Sequence, residues 1–513
     1  MPLFPLEGKD IGLTDLNPCF SEESHARKVR NGAFAAIATQ AVRVATQAGS
    51  VIVLSRLLTP VDFGIYAMAS PILAFAVLFQ DLGLGHATVQ KDSLSQSDLS
   101  SLFWVNLSVG TMLALSLVAI SPLVGLFYNE PKLAALTAGM SLTLLLSGAD
   151  VQHLSLLTRQ MRFWTLAVLE SAAAVAGFVA AIAIASVYHN YWAILVGSLV
   201  SGVVLASGAW LTSGWWPSRP GSIRHARGML TFGLGVTGFN FAEFISRNAD
   251  SVLIGKLCGA ASLGAYNRAY RLLLFPLQQV TSPMIRVMLP TLSSLNKDRD
   301  RYRQSFQRAV FPAFVAVVPG VAFMISSADV LVTTLLGSQW AEVTPIFVGL
   351  SVAGLLQTMN SPASWLFLSQ GRTREYMRWG FFSAGTSLVG FLCGLPFGPV
   401  GVATAYSISE CLRTPILWWA VGRNGPVGHA DAARVILPHL AGAIASIIGA
   451  SCLHHWMTSH SSGTLLTLAA CFSLSYALAV LVLSLFPAGR REIKRYSSRG
   501  VARTKAGVSS ANN

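Results

Sequence analysis

Long apolar runs separated by short polar breaks govern this chain from residue 31 to residue 486. A run of about 20 apolar residues is enough for a helix to cross the hydrocarbon core of a bilayer. Such runs fall at 31–55, 61–84, 98–120, 132–156, 164–187 and 191–213, and then at 229–256, 262–292, 308–333, 342–369, 377–396 and 399–421. Two more follow at 433–456 and 463–486. The breaks at 214–228 and 422–432 are rich in Pro, Gly and Arg, as connectors require. The pattern predicts an all-α polytopic membrane protein with 14 transmembrane helices: two six-helix lobes and two C-terminal helices. The corresponding domains are a tail at 1–30, an N-lobe at 31–213, a C-lobe at 229–421, a final helix pair at 433–487 and a basic tail at 488–513.

The two lobes are copies of one unit. Leu54-Ser-Arg-Leu-Leu-Thr-Pro-Val-Asp-Phe-Gly-Ile-Tyr66 corresponds to Ile254-Gly-Lys-Leu-Cys-Gly-Ala-Ala-Ser-Leu-Gly-Ala-Tyr266, a shift of 200 residues. Leu157-Thr-Arg-Gln-Met-Arg-Phe163 corresponds in the same way to Leu368-Ser-Gln-Gly-Arg-Thr-Arg-Glu-Tyr376. With six helices per copy, both copies enter the membrane from the same side, so the repeat is parallel.

Polar residues inside the runs point to the chemistry. Asn240, Glu243, Arg247 and Asp250 fall within an arc of roughly 80° on one helix face. Gln40, Arg43, Gln47 and Ser50 recur at the same spacing one copy earlier. A charge at bilayer depth costs about 3 kcal/mol or more, so these stripes need a wet cavity or a polar partner. The eighth span adds Arg268, Arg271, Gln278, Ser282 and Arg286 on one face, where the first copy carries Met68, Pro71, Leu78, Leu82 and His86. The outermost arginines can snorkel to the interfaces; Arg271 lies too deep for that. A pocket holding Arg247, Arg268, Arg271 and Arg286 suits a doubly charged phosphate, because guanidinium bonds phosphate oxygens in pairs and stays charged when dried. Asp150, Glu170 and Glu410 are further intramembrane acids, with Asp81 near a helix end. Each can pair with a neighbouring arginine, as Glu410 can with Arg413 one turn on, or couple transport to protons.

Composition narrows the class. Only 11% of residues are charged, against about 25% in soluble domains. The net charge of +14 is spread over short loops and a tail, so it reflects the positive-inside rule and not nucleic-acid binding. On that rule both termini are cytosolic, and the outer loops keep only Arg56, Lys132 and Lys256. No outer loop is long enough to house an enzyme. The six cysteines have no paired spacing and read as reduced thiols, and no metal site or cofactor is expected. Gly233-Leu-Gly-Val-Thr-Gly238 copies a dinucleotide-binding string but sits in a membrane helix, where glycines serve packing. Asp298-Arg-Asp300 lies in a short basic loop with no nucleotide-binding domain around it, and His454-His455 has no acidic or thiol partner nearby in sequence.

The first hairpin (Leu54 to Tyr66, then Phe79-Gln-Asp-Leu-Gly-Leu-Gly85) and Gly264-Ala-Tyr-Asn-Arg-Ala-Tyr270 resemble the polysaccharide transporters of the multidrug/oligosaccharidyl-lipid/polysaccharide exporter superfamily. The resemblance runs from about 31 to 490 and is strongest to exopolysaccharide and O-antigen flippases. It implies two lobes around a cavity that opens alternately to each side of the bacterial inner membrane. The implied substrate is an undecaprenyl-pyrophosphate-linked oligosaccharide. The implied partners are membrane lipids, a polysaccharide polymerase with its chain-length machinery, and a coupling proton or sodium ion. From their polar stripes Arg43, Gln47, Asn240, Arg247, Arg268, Arg271, Gln278 and Arg286 are the expected cavity residues, and on the resemblance Arg43 and Arg247 match positions where relatives often carry central-cavity charge. Arg247 and Arg271 would hold the pyrophosphate, with Arg43 facing them and Glu243 or Asp250 taking over Arg247 once the substrate leaves. Glu170 and Glu410 would balance charge or couple ions. A cation-coupled drug exporter of the same fold would favour an acidic cavity, whereas arginines predominate here. A membrane polymerase or ligase would need a large outer loop.

Overall fold

The computed structural model describes residues 39–80, 85, 88, 89, 94–219, 227–460, 463–487 and 489–492; side chains at 227–243, 245–247 and 282 lie outside that description. The described residues form helices joined by short turns, with no strand among them. Eleven helical runs are long and apolar enough to cross a membrane. The chain is an integral membrane protein.

Helix α1 (39–57) is interrupted by a π-helical turn at Ser50–Leu54. A two-residue turn leads to α2 (Pro60–Gln80). Pro60 begins that helix, where a missing N–H costs nothing. Asp62 fixes the turn, accepting from the Thr59 amide at 3.0 Å and hydroxyl at 2.6 Å, and from the Tyr191 amide at 3.1 Å. Helices α3 (Gln96–Tyr128), α4 (Lys132–Arg159), α5 (Phe163–Tyr188) and α6 (Trp192–Ser213) follow. A reciprocal Ser95–Asp98 capping box starts α3, and Asn129 in the left-handed conformation ends it. The run Arg227–Ser294 is broken at Gly259 (φ 85°, ψ 178°) into α7 (227–258) and α8 (260–294). Then come α9 (Arg299–Ser326), α10 (Ala328–Leu335), α11 (Val343–Asn360), α12 (Pro362–Ser369), α13 (Thr373–Gly394), α14 (Gly398–Asn424), α15 (His429–Ser459) and α16 (Thr464–Leu485).

Two of the predicted runs are broken within, and α3 runs on to Tyr128, past its predicted end at 120. The apolar run predicted at 308–333 ends as a helix at Ser326 and resumes as the short α10, because Ser327 leaves helical geometry (φ −121°, ψ 26°). The run predicted at 342–369 divides at Ser361, where Pro362 can supply no amide to the ladder. Hydropathy does not register either break, since both halves stay apolar.

The chain folds into two compact units, Met1–Gly264 and Ala265–Asn513. In the first, α3 packs along α4 and α5 along α6. The core at one end joins Leu99, Phe103, Leu156 and Trp215. His153 lies 4.4 Å from the Trp210 ring and meets the Ser213 hydroxyl at 2.8 Å. In the second, α14 packs on α11 and α13, while α15 and α16 pack on α9. The Tyr476 hydroxyl donates to the Ala316 carbonyl at 2.6 Å, and His439 lies edge-on to Phe311 and Phe314.

The two units share one turn in backbone detail. Met161 (φ 55°) and Gly371 (φ 69°) both take the left-handed conformation. The following amides close the same turn: Arg162 N to Leu157 O at 3.0 Å, and Arg372 N to Phe367 O at 2.9 Å. Each arginine then reaches the end of a neighbouring helix. Arg162 donates to Thr212 O at 2.7 Å, and Arg372 donates to Ala420 O and Val421 O, both at 2.9 Å. These contacts satisfy orphan carbonyls and place positive charge at the negative helix ends. They pair Leu157 with Phe367, one residue earlier than the sequence match with Leu368.

Candidate functional site

Arg43 and Glu170 form an ion pair at 3.1 Å between α1 and α5. The two helices are drawn together next to it, since a Cβ on Gly49 would stand 2.7 Å from Phe178 Cζ. By helical rise, Glu170 lies about 10 Å in from the start of α5 and Arg43 about 21 Å from the end of α1. Both groups are therefore at bilayer depth, yet their side chains are 52% and 43% exposed. An exposed guanidinium and carboxylate cannot rest against acyl chains at that depth, so this face calls for water or a polar ligand. The single Nη2–Oε2 bond leaves most of the Arg43 donors without a partner among the described residues. Gln47, one turn on, is exposed on the same stretch. The π turn at Ser50–Leu54 follows directly; such bulges re-aim the residues beside them and gather at functional sites.

The remaining predicted positions divide three ways. The side chains of Asn240, Glu243 and Arg247 lie outside the described residues, although their backbone is helical. Asp250 is buried, with its Oδ1 accepting from the Ser251 amide at 2.6 Å. On α8, Leu272, Leu273 and Leu277 are buried, while Arg271 and Gln278 are exposed on the opposite face. Arg286 is exposed and Arg268 is buried at 4% exposure.

Glu410 makes a different kind of site. Its carboxylate meets Arg413 at 2.5 Å, and both residues are buried. Arg413 Nη1 also donates to Ser383 O (2.6 Å), Ser383 Oγ (2.9 Å), Thr386 Oγ1 (3.3 Å) and Ser387 Oγ (2.6 Å). Gln357 and Tyr406, joined at 2.5 Å, stand beside the carboxylate. The pair thus binds α11, α13 and α14 together. The i, i+3, i+4 spacing of Ser383, Thr386 and Ser387 places them on one helix face, the only signal in the sequence for the hydroxyls that hold Arg413. The Arg43–Glu170 pair, 127 residues apart, left no local signal at all.

Other motifs take structural roles. Asp298 caps α9 through the Arg301 amide at 3.1 Å and pairs with the Arg301 side chain at 3.2 Å. His454 has an acidic neighbour after all: Asp329 on α10 lies 3.6 Å from its Nε2, brought there by the break at Ser327. Among the described residues, no group of three or more His, Cys, Asp or Glu side chains is placed to hold a metal ion.

A solved lipid II flippase, MurJ in an inward closed conformation, shares the fold: TM-score 0.67 at 13% identity, covering 88% of this chain and 98% of that one. The succinoglycan biosynthesis transport protein ExoT of Rhizobium meliloti is 30% identical over 61% of this chain and 63% of its own length. The lipopolysaccharide biosynthesis protein WzxC of Escherichia coli K12 is 22% identical over 72% of this chain and 76% of its own. A family model described as polysaccharide biosynthesis protein matches residues 53–345, more than half of the 513 residues. The chain belongs to that family of polysaccharide biosynthesis proteins.

Proposed function

We propose that this protein is a flippase. It moves undecaprenyl-pyrophosphate-linked oligosaccharide units across the bacterial inner membrane by alternating access, for exopolysaccharide or lipopolysaccharide assembly. The observation that carries this reading is the half-exposed Arg43–Glu170 pair at bilayer depth. A guanidinium with spare donors on a hydrated path is what a pyrophosphate needs on its way through the membrane. Arg271, exposed on α8, and Arg247 are the other arginines assigned to the anion. The transport role in the name of the succinoglycan relative supports the same reading. Taking each of the broken runs 227–294 and 373–424 as two spans, and adding the segment ending at 57, gives the 14 spans of the proposed topology. Both termini are assigned to the cytosol, with a polysaccharide polymerase and a coupling proton or sodium ion as the remaining partners.

The test is flux of a lipid-pyrophosphate oligosaccharide in vesicles of purified protein with no glycosyl donor present. Flux that depends on the protein, and that falls in Arg247→Gln and Arg271→Gln while both insert normally, is the expected result. Absence of flux with a range of lipid-linked oligosaccharides would overturn the reading. Reporter fusions after residues 129, 259 and 397 should read outside, and those after 298 and 428 cytosolic.

A further inference from the structure

The start of α13 and the end of α14 lie side by side, joined through Arg372. Its guanidinium donates to the Glu375 carboxylate at 2.6 Å and 3.1 Å, and to the Ala420 and Val421 carbonyls of α14, both at 2.9 Å. Asn424 of α14 stands beside the same carboxylate. Glu375 is thereby spent on Arg372. The next acid along the chain, Asp431, is held by Arg303 at 3.4 Å and Arg434 at 3.5 Å. Three exposed arginines remain at this end of the helix pair: Arg374 and Arg378 on α13, and Arg423 on α14. None of the three has a hydrogen bond or ion pair among the described residues.

The arginines stand above an apolar face. Arg423 Cζ lies 5.4 Å from the centre of the Trp419 ring, one turn away on α14. A guanidinium stacked in this way keeps its donors and loses little further freedom when it takes an anion. Trp419 is itself exposed, as tryptophans at the headgroup level are. On α13 Arg378 is one turn before Phe382, whose ring lies 5.4 Å from that of Trp379. Phe381, Phe382 and Val389 on α13, with Leu412 and Ile416 on α14, are all exposed. In an integral membrane protein such a face is covered by acyl chains. A Cβ on Gly380 or Gly385 would meet nothing within 4 Å, so the α13 surface is bare next to the arginines. At the far end of the same helix a Cβ on Gly394 would stand 2.3 Å from the Gly401 carbonyl oxygen of α14.

We propose that this end of the α13–α14 pair is a binding site for an anionic phospholipid. Arg378 and Arg423 take the phosphate, Arg374 stands at the rim, and an acyl chain lies along the bare face of α13. Charge decides the occupant, because the nearby acids are already paired and the three guanidiniums are left uncompensated. A zwitterionic lipid would bring a cation of its own to the same place, and a soluble phosphate would leave the apolar face uncovered. Basic pockets between membrane helices hold anionic headgroups in this manner. The positive-inside bias accounts for arginines at this end, but not for their standing unpaired over a bare apolar surface. The site depends on the chain's place in the membrane and is independent of what the chain transports.

The experiment uses the full-length protein in mild detergent, with phosphatidylglycerol as the anionic probe and phosphatidylethanolamine as the zwitterionic one. Lipid retained per protein is counted by native mass spectrometry. Wild type should retain phosphatidylglycerol in preference, and Arg378→Gln with Arg423→Gln should lower that retention about tenfold or more. Lys297→Gln with Arg299→Gln removes the same charge from exposed positions before and at the start of α9, and should leave retention unchanged. Equal losses from the two double variants would mean diffuse attraction and overturn the site. A second measurement needs no variant. Phosphatidylglycerol carrying a photoreactive headgroup should label wild-type peptides spanning 373–382 and 417–424, and labelling confined to other peptides would overturn the proposal. Excess glycerol phosphate should fail to displace the lipid; displacement would mean a phosphate site with no acyl contribution. Undecaprenyl phosphate should compete no better than phosphatidylglycerol itself. Preferential displacement by it would assign the site to an isoprenoid lipid and overturn the phospholipid.

Discussion

Arg43 with Glu170 and Arg413 with Glu410 are the same chemical pair placed in two settings inside membrane helices. The first is half exposed and joined by one bond of 3.1 Å. The second is buried, joined at 2.5 Å, and its arginine is also held by a carbonyl and three hydroxyls of α13. Low dielectric strengthens each bond of a buried network, so this pair, with both terminal nitrogens of Arg413 engaged and only Nε left without a partner, behaves as a clamp. The unsaturated pair can stand at bilayer depth only where water or an anion completes it. A buried arginine whose terminal nitrogens are already engaged is closed to a substrate, and a half-exposed one held by a single bond is open to it.

The largest effect expected from this contrast is at the clamp. Arg413→Met leaves Glu410 buried without its counter-charge, and removing one partner of a buried pair costs about 3–5 kcal/mol. The variant should fail to accumulate in membranes, measured by quantitative blotting against wild type. Glu410→Leu with Arg413→Met removes both charges, and such apolar replacements are often neutral or stabilising. The double variant should therefore recover much of the lost protein. If Arg413→Met accumulated normally, the assignment of a clamp would fail.

The next effect is functional. Arg43→Gln should insert and accumulate as wild type does, because its partner Glu170 is exposed and can be solvated. Its export of lipid-linked repeat units should fall by roughly 10-fold or more, with the units trapped on the cytosolic leaflet. Lysine at this position should restore export only in part, since it lacks the paired donor geometry. Normal export from Arg43→Gln would erase the functional half of the comparison.

The two settings also differ in how far the sequence discloses them. Glu410 and Arg413 are one helical turn apart, so their pairing is legible from spacing alone. The membrane helices are equally legible, because apolar runs are patterns along the chain. Arg43 is legible as a charge that needs a partner, but Glu170 is not legible as that partner, since the fold alone brings positions 127 apart together. The close approach of Gly64 to the Ala260 carbonyl, and of Gly264 to the Pro60 carbonyl, is half legible. Gly64 and Gly264 align in the repeat, but alignment shows correspondence, and only the backbone path shows that corresponding residues touch. Breaks such as Ser327 escape hydropathy because they change backbone direction without changing polarity.

The smallest and sharpest effect is at Glu170. If its carboxylate merely neutralises Arg43, Glu170→Gln should weaken the site by loosening the arginine. If it competes with the substrate, the same change should free the guanidinium for the anion. The geometry favours competition, because a single bond to a half-exposed carboxylate holds the arginine in place while leaving it open to a stronger acceptor. The pyrophosphate of the proposed substrate would be that acceptor, being more highly charged and able to take two donors at once. Glu170→Gln should then lower the substrate concentration for half-maximal flux by a few-fold. It should also lower maximal flux to a similar degree, as the anion leaves Arg43 more slowly. A double-mutant cycle isolates the pairwise effect. On an Arg43→Gln background, Glu170→Gln should change neither quantity, since there is no guanidinium left to contest. A rise in the half-maximal concentration, or an undiminished effect on that background, would mean that Glu170 acts on the substrate by some route other than Arg43.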